Sequence, residues 1–203
     1  MNIRAMGEGA LLVETADAAA AHALRAQLLE QDIAGLRELV PGQRSLLLSF
    51  DPLQVNPDTL IQRLPELAAM PATPPEPHRH EIGVHYDGED LADLARDLGM
   101  TPEELVRRHA APVYRVAFLG FAPGFPYLTG LDPALHTSRR GEPRVRVPAG
   151  SVAIAGEFTG IYPRATPGGW HLIGRTNAVL FDAARASPAL LAPGDEVRFR
   201  VLP

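Results

Sequence analysis

The spacing of apolar positions divides the first part of the chain into short alternating elements. In residues 16–32, Ala21, Leu24 and Leu28 recur at the three- and four-residue intervals that place side chains on one face of a helix. Asn56 followed by Pro57 is typical of a helix start, because asparagine caps the first turn and proline fits its first position. We therefore predict strands at residues 10–15, 36–40 and 45–50, and helices at residues 16–32 and 56–64.

This order of elements is typical of a small α/β domain. Strand, helix, two strands and helix, followed by one further strand, is the order of a split βαβ, or ferredoxin-like, unit. Residues 71–77 then hold four prolines, which resist helix formation and cannot donate to a central strand. We predict a ferredoxin-like domain over residues 1–70 and a stiff, proline-rich linker over residues 71–79.

After the linker the pattern changes to short β-rich runs. Residues 80–87 alternate apolar and polar positions as a strand does, and helices are predicted at residues 90–99 and 101–110. The second helix begins with Thr101 as N-cap and Glu104 as its partner in a capping box. Glycine and proline turns separate the remaining apolar runs, which predicts a closed or nearly closed β-barrel. Its strands, all within residues 80–203, are expected at residues 80–87, 112–121, 145–149, 151–156, 170–176, 178–182 and 195–202.

Composition narrows the range of functions. The 203-residue chain has a net charge of −5, so no basic field favours nucleic acid or an anionic membrane as a partner. The absence of cysteine excludes thiol catalysis and zinc–thiolate sites. The longest uncharged run, residues 116–131, is shorter than a membrane span. All 19 basic residues are arginine, so this chain cannot form a Schiff base, carry biotin or supply a phosphate-loop lysine. We expect a soluble, cytoplasmic protein.

Candidate binding chemistry is concentrated in three segments rich in glycine and proline, residues 120–130, 147–156 and 159–174. Glycine lets another molecule approach the main chain, proline restricts a loop, and aromatic rings supply rigid contact area. Loops at one mouth of a barrel are common binding sites, so we predict a site there. The alternative is that the segments are tight turns with aromatic plugs beneath them. The candidate substrate-binding residues are Gly124, Phe125, Tyr127, Ser151, Tyr162, Gly168, Gly169, Trp170, His171 and Arg175.

Individual polar and aromatic residues have different expected roles. Neighbouring positions on a strand face opposite sides, so Trp170 is expected in the barrel core and His171 in a groove or against a partner. Ser151 is expected to form hydrogen bonds and not to act as a nucleophile, because no GxSxG elbow surrounds it. Arg164 and Arg175 are candidates for binding a carboxylate with two hydrogen bonds. No catalytic residue is assigned, and no metal site is expected, because His78, His80 and His85, in and after the linker, lack the spacing of a ligand pair on a helix.

Four motifs, in this order, resemble one known family. They are FLGFAPGFPYLTGL (residues 118–131), PRVRVPAGSVAIAG (143–156), TGIYP (159–163) and PGGWHLIGRT (167–176). Together they are similar to the family of bacterial 5-oxoprolinase B subunits, also described as KipI-like or as allophanate hydrolase subunit 1. The resemblance is close over residues 80–203 and thinner before the linker. One departure is Phe158, where the family often has glutamine.

The resemblance implies a C-terminal cyclophilin-like β-barrel and a small N-terminal α/β domain. It implies two partners, a KipA-like protein and a LamB/YcsF-like protein, which together with this chain open 5-oxo-L-proline to L-glutamate while hydrolysing ATP. ATP is then a cofactor of the assembly, bound by this chain or by one of the partners. Two alternatives stay open: a KipI-like inhibitor of a sensor histidine kinase, and half of a biotin-dependent carboxyltransferase of urea or allophanate metabolism.

Overall fold

A computed structural model describes residues 1–72 and 75–203 and divides the chain into two compact units. The first unit is Met1–Glu76 and the second is Pro77–Pro203. The boundary falls inside the linker predicted over residues 71–79, of which residues 73 and 74 lie outside the described part of the chain.

The first unit is a four-stranded antiparallel sheet with two helices. Its elements are β1 (Ile3–Ala5), β2 (Ala10–Glu14), α1 (Ala18–Glu30), β3 (Leu36–Pro41), β4 (Ser45–Phe50) and α2 (Pro57–Ala69). The strand order is β1-β2-β4-β3. Asn56 caps α2 as predicted, because its side chain accepts a hydrogen bond of 2.9 Å from the N–H of Asp58. Every second residue of β2 and β4, such as Leu11 and Leu48, enters a core that Leu28 of α1 and Leu64 of α2 share.

The edge of this sheet differs from the prediction. A ferredoxin-like unit ends with a strand after its second helix, but the described residues between α2 and Glu76 contain none. The edge beside β2 is filled by β1, which forms a hairpin with β2 and pairs Arg4 with Leu12. The turn of that hairpin includes Gly7, whose φ of +70° is the left-handed conformation that glycine adopts easily.

The second unit combines a large curled sheet with two short helices. Its helices are α3 (Leu91–Asp97) and α4 (Pro102–Ala110). Its strands are β5 (Arg79–Val84), β6 (Val113–Leu119), β7 (Pro126–Thr129), β8 (Arg144–Val147), β9 (Ser151–Ala155), β10 (Phe158–Ile161), β11 (Thr166–Gly168), β12 (His171–Arg175) and β13 (Glu196–Val201). The strand order is β12-β9-β10-β7-β6-β13-β5, and β8 with β11 forms a separate ribbon.

The curled sheet closes on itself. His85, which follows β5, and Arg175, at the end of β12, exchange two backbone hydrogen bonds of 2.8 and 2.9 Å, so that the two edges of the sheet meet. Strands β13 and β5 run parallel, and the other neighbouring strands are antiparallel. The predicted fold class, α+β with a barrel-like sheet in the C-terminal part, is confirmed.

Several local predictions for the second unit need correction. The strand predicted at residues 178–182 is absent: Phe181 forms a single bridge to Ala189, and the chain turns back between them. Thr101 caps α4 as predicted, but the carboxylate of Glu104 binds Arg107 and Arg108 and so does not complete a capping box. No helix within residues 1–72 and 75–203 is long and apolar enough to cross a membrane.

Strands β7, β10 and β11 form inside the segments that were predicted as glycine- and proline-rich loops. All four residues of β10 are buried, because the barrel core covers one face of this strand and a cluster of aromatic rings covers the other. A strand buried on both faces does not alternate apolar and polar residues, so its sequence lacks the period that the prediction relies on.

Candidate functional site

Seven aromatic rings form a cluster on the outer face of the curled sheet, and we call it the aromatic cluster. Along β10, Thr159 and Ile161 point into the barrel core, so Phe158 points to the opposite face. On β7, Leu128 lies in the barrel core and the neighbouring Tyr127 lies in the cluster. The members are Phe118, Phe121, Phe125, Tyr127, Phe158, Tyr162 and Trp170.

Phe125 is at the centre of the aromatic cluster. Its ring centroid lies 5.1 Å from that of Tyr162 and 5.3 Å from that of Trp170, both edge-on. These three residues are at most 5% exposed. Edge-to-face pairs of this kind contribute about 0.5–1.5 kcal/mol each beyond their burial. The structure thus brings the four aromatic candidate residues together as a packed cluster. Trp170 is buried as expected, but in this cluster and not in the barrel core, because it packs against Phe125 and Tyr127.

The hydroxyl of Tyr162 lies beneath the β8–β11 ribbon. Burial raises the pKa of Tyr162 and outweighs the backbone N–H of Trp170, which acts in the opposite direction. A methyl group added at Gly168 would lie 2.4 Å from the Tyr162 hydroxyl oxygen. Gly168 is therefore the residue that allows the ribbon to pass over this ring. Burial also raises the pKa of Tyr127, so both phenols are neutral donors at physiological pH.

The polar candidate residues do not converge on the aromatic cluster. Arg175 is exposed, and its Nε donates a hydrogen bond of 2.8 Å to the carboxylate of Asp87. The Nε2 atom of His171 lies 3.1 Å from the carbonyl oxygen of Ser138. Ser151 is buried and pairs with Arg175 across β9 and β12. These positions lie on the wall and the surface of the barrel.

The remaining candidate residues are loop positions. Gly124 has a φ of +78°, and a methyl group added there would lie 2.8 Å from the Cβ of Phe181. Gly169 lies beside Pro143, and Arg164 is exposed. Gly124 is therefore needed for a tight turn.

A buried carboxylate that the sequence analysis missed, Asp90, ties three parts of the second unit together. It accepts hydrogen bonds from Arg140, from Arg144 at 2.8 and 2.9 Å, and from the backbone N–H of Leu172 at 2.7 Å. Its side chain is 6% exposed. Burial opposes the charged form, but the hydrogen bonds and the two guanidinium charges outweigh burial, so the pKa of Asp90 lies below its usual value.

Little in the sequence reveals this network. Asp90 directly precedes α3, a position typical of a helix-capping aspartate, yet its side chain forms no capping hydrogen bond. Its partners lie 50, 54 and 82 residues further along the chain. The one available signal is compositional, because residues 138–168 hold five arginines but only two glutamates. Such a local excess of positive charge indicates an acidic partner elsewhere in the chain.

His109 is fully buried in the barrel core within a chain of hydrogen bonds. Its Nδ1 lies 2.8 Å from the hydroxyl of Tyr86, and its Nε2 lies 2.8 Å from the hydroxyl of Thr159. Thr159 donates its own proton to the carbonyl of Ala153, so it accepts one from Nε2 of the imidazole, and Nδ1 accepts from Tyr86. Burial lowers the pKa of His109 to about 3, which keeps the ring neutral.

Acid is expected to destabilise the second unit through His109. A pKa of about 3 in the folded chain, against about 6.5 when unfolded, means that unfolding takes up a proton between these pH values. This stabilisation is complete above pH ~6.5 and is lost towards pH ~3, at about 1.4 kcal/mol per pH unit. Urea unfolding at pH ~6.5 and ~5 should show wild type losing about 2 kcal/mol more than His109→Gln. Equal losses in both proteins would refute this role.

Two cavities of the second unit lie apart from the aromatic cluster. One, of about 490 Å³, lies over β5, β6 and β13 and is lined in part by Arg79 and Arg198. The other, of about 470 Å³, lies beside α4 and is lined in part by Tyr86, Pro102 and Arg107. Their lining includes none of the ten candidate substrate-binding residues.

This chain is similar to one protein family and to named members of a bacterial enzyme. The family described as carboxyltransferase domain, subdomain C and D, matches residues 1–191. The B subunit of 5-oxoprolinase from Escherichia coli is 47% identical over 176 residues, covering 83% of this chain and 79% of the relative. The B subunit of the same enzyme from Haemophilus influenzae is 48% identical, covering 85% of this chain and 81% of the relative.

Solved structures share the fold. The crystal structure of TTHA0988 superposes with a TM-score of 0.83 and 39% identity, covering 96% of this chain and 40% of TTHA0988. The present chain thus spans less than half of that protein. The Kluyveromyces lactis urea carboxylase superposes with a TM-score of 0.74 at 21% identity, covering 99% of this chain and 22% of the carboxylase. At this identity the likeness shows the fold alone.

Proposed function

The chain belongs to the family of carboxyltransferase domains, subdomain C and D, and we propose that it is the B subunit of an ATP-dependent 5-oxoprolinase complex. The observation that carries this proposal is its identity of 40 to 48% to three relatives of that name, over 79 to 81% of their length. The proposed reaction opens the lactam of 5-oxo-L-proline to L-glutamate in the cytoplasm, where ATP is available.

The proposed need for ATP follows from the stability of an amide. Transfer of the terminal phosphoryl group of ATP to the lactam oxygen releases ADP and activates the ring carbon. Water adds at this carbon, and the C–N bond breaks as the nitrogen takes a proton. A second water then releases phosphate from the resulting acyl phosphate and leaves glutamate. This sequence needs a phosphate-binding site, a base and a proton donor around one small substrate.

The described residues of this chain favour a role in binding and assembly over a role in the chemical step. Asp90 and His109 are saturated by hydrogen bonds, so neither can exchange a proton with a substrate in this arrangement. In the cavity of about 490 Å³, Arg79 is paired with Glu196 at 3.1 Å, Arg198 is the other arginine of the lining, and the chain has no lysine. These donors fit a triphosphate poorly, so we propose that ATP binds to the KipA-like partner or to the LamB/YcsF-like partner.

The isolated chain is expected to show no 5-oxoprolinase activity. The reason is that the buried Asp90 and His109 serve the fold and that Arg79 at the cavity is already paired. Release of ADP and of glutamate should be measured for the chain alone and for the chain mixed with its cognate KipA-like and LamB/YcsF-like partners. Turnover by the chain alone would overturn the proposal that its partners bind ATP. Inactivity of the complete mixture would overturn the proposed reaction.

Half of a biotin-dependent carboxyltransferase is the second candidate. The observation in its favour is the description of the matching family as a carboxyltransferase domain. Because this chain has no lysine, its biotin would arrive on another protein. The same purified assembly separates the two candidates: biotin-dependent carboxylation of urea with added biotin carboxylase and carrier protein, without glutamate release from 5-oxoproline, would favour the carboxyltransferase.

A further inference from the structure

The outer face of strands β6, β13 and β5 carries an excess of arginine. These strands are neighbours in the curled sheet, and successive residues of a strand point to opposite faces. Val197 and Phe199 of β13 lie in the barrel core, so the even-numbered residues of β13 lie on the outer face. Four arginines against two glutamates give this face a net charge of +2, on a chain whose net charge is −5. Its charged residues are Arg79, Glu81, Arg115, Glu196, Arg198 and Arg200.

Each glutamate of this face is paired with one arginine. The Nε atom of Arg79 lies 3.1 Å from a carboxylate oxygen of Glu196. The Nε atom of Arg200 lies 3.0 Å from a carboxylate oxygen of Glu81. Both pairs join β5 to β13, which run parallel to each other. Because both carboxylates are neutralised in this way, the excess positive charge of the face resides on its other two arginines.

Those two arginines are Arg198 and Arg115. Within residues 1–72 and 75–203, the guanidinium of Arg198 forms no hydrogen bond or ion pair. Arg115 donates a hydrogen bond of 3.2 Å from Nε to the carbonyl oxygen of Gly194, and no carboxylate in the same part of the chain pairs with it. Arg198 lies opposite Val113 across β13 and β6, which places Arg115 diagonally opposite Arg198. Diagonal neighbours lie about 7–8 Å apart, so both guanidinium groups can reach one ligand.

The cavity of about 490 Å³ lies over this face, and its lining includes Arg198 and Val113. Its volume is within the range of small-molecule sites, roughly 300–1,000 Å³. Val113 is 48% exposed and supplies apolar surface beside the unpaired guanidinium. A guanidinium binds a carboxylate or a phosphate with two parallel hydrogen bonds. The cavity therefore suits a small molecule that has one oxyanion group and an apolar body.

We propose that this cavity binds a small molecule through one oxyanion group, a carboxylate or a phosphate, with Arg198 as its anchor and Arg115 as a second donor. Because the glutamates engage Arg79 and Arg200, the remaining cations suffice for one anionic group and not for a triphosphate. The inference goes beyond the proposed function and does not depend on it, since it rests on the charges and the cavity of this face alone.

The test is a titration of the full-length, ¹⁵N-labelled chain in which backbone amide shifts are recorded. The probes are 5-oxo-L-proline as the carboxylate, inorganic phosphate, and 2-pyrrolidinone, which is the same lactam without a carboxylate. We expect saturable shifts in β5, β6 and β13 with at least one of the two anions and none with 2-pyrrolidinone. In Arg198→Gln, Kd should rise by about ten-fold or more, because a charge-assisted hydrogen-bonded pair is lost. In Arg115→Gln it should rise less.

Arg146→Gln is the matched control. Arg146 is an exposed arginine of β8 outside the lining of this cavity, and its replacement changes the net charge of the chain by the same amount. It should leave Kd unchanged. The Tm of Arg198→Gln should stay within a few degrees of that of wild type, because the side chain is exposed and forms no ion pair with the described residues.

Each outcome of the titration decides the inference. Saturable binding of 5-oxo-L-proline identifies a carboxylate site, binding of phosphate alone identifies a phosphate site, and loss of either in Arg198→Gln supports the inference. If neither anion shifts β5, β6 or β13 in a saturable way, or if Arg198→Gln binds as tightly as wild type, the inference is wrong. An equal loss in Arg146→Gln would mean unspecific attraction of anions and would also overturn it. The proposed function stands in all of these cases, because it rests on identity to named relatives.

Discussion

Substitution of Gly88 by alanine is expected to destabilise the second unit by about 3 kcal/mol or more. Gly88 lies between β5 and α3, where the chain crosses β12. A methyl group added there would lie 2.3 Å from the carbonyl oxygen of Leu172 and 2.4 Å from the carbonyl carbon of Ile173. These are backbone atoms of a strand that pairs with β9, so no flexible side chain can move aside. The crossing must therefore open, which weakens the hydrogen bond from the N–H of Asp90 to Leu172.

Thermal unfolding followed by circular dichroism measures this effect, and Gly141→Ala is the matched control. Gly141 lies on the surface, and a methyl group added there would meet no atom within 4 Å. The control should unfold within a few degrees of wild type, whereas Gly88→Ala should unfold roughly 10 °C lower or fail to fold. If the two variants unfolded at similar temperatures, a methyl group at residue 88 would fit beside β12, and the expected clash would be wrong.

The sequence predicts the helices and the alternating strands of this fold well. Periodic apolar residues and the caps at Asn56 and Thr101 locate α1, α2 and α4, because these signals act within a few residues of each other. The prediction fails for β10, which is buried on both faces and so does not alternate apolar and polar residues. It also fails for β1, which is only three residues long. In both cases the strand exists because of what packs around it, and no local period records that packing.

The candidate site was predictable in part for the same reason. The motifs that contain Phe125, Tyr162 and Trp170 pointed to the segments that the structure brings together as the aromatic cluster. Whether those rings line an open mouth or fill a packed layer depends on contacts between segments distant in the chain, which a single sequence does not contain. The φ of Phe121 could not be predicted either, because a phenylalanine between Gly120 and Ala122 gives no sign that it adopts the left-handed conformation in this turn.

Replacement of Asp90 by alanine is expected to cost about 3–5 kcal/mol, because it removes the buried carboxylate that Arg140 and Arg144 share. Arg140 and Arg144 would lose the carboxylate that neutralises them, and the N–H of Leu172 would lose its acceptor. Asp90→Asn should also be strongly destabilised, since an amide keeps the shape and one acceptor oxygen but removes the charge. Asp93→Asn is the control on the same helix: its ion pair with Arg96 is largely exposed, so its loss should change stability by less than about 1 kcal/mol.

A double-mutant cycle shows whether the charge pair itself is responsible. Arg144→Met alone leaves Asp90 with fewer donors, and Asp90→Asn alone leaves Arg144 with only its ion pair to the exposed Glu89, so each single variant retains a charge that is incompletely compensated. The double variant removes the pair together and should be less destabilised than the sum of the two, by about 1–3 kcal/mol in urea unfolding at neutral pH. Strict additivity would mean that Asp90 acts through Leu172 and Arg140 alone. A coupling of this size would mean that the β8–β11 ribbon depends on a residue 54 positions away, because Asp90 joins Arg144 of β8 to the start of α3 and to Leu172 of β12.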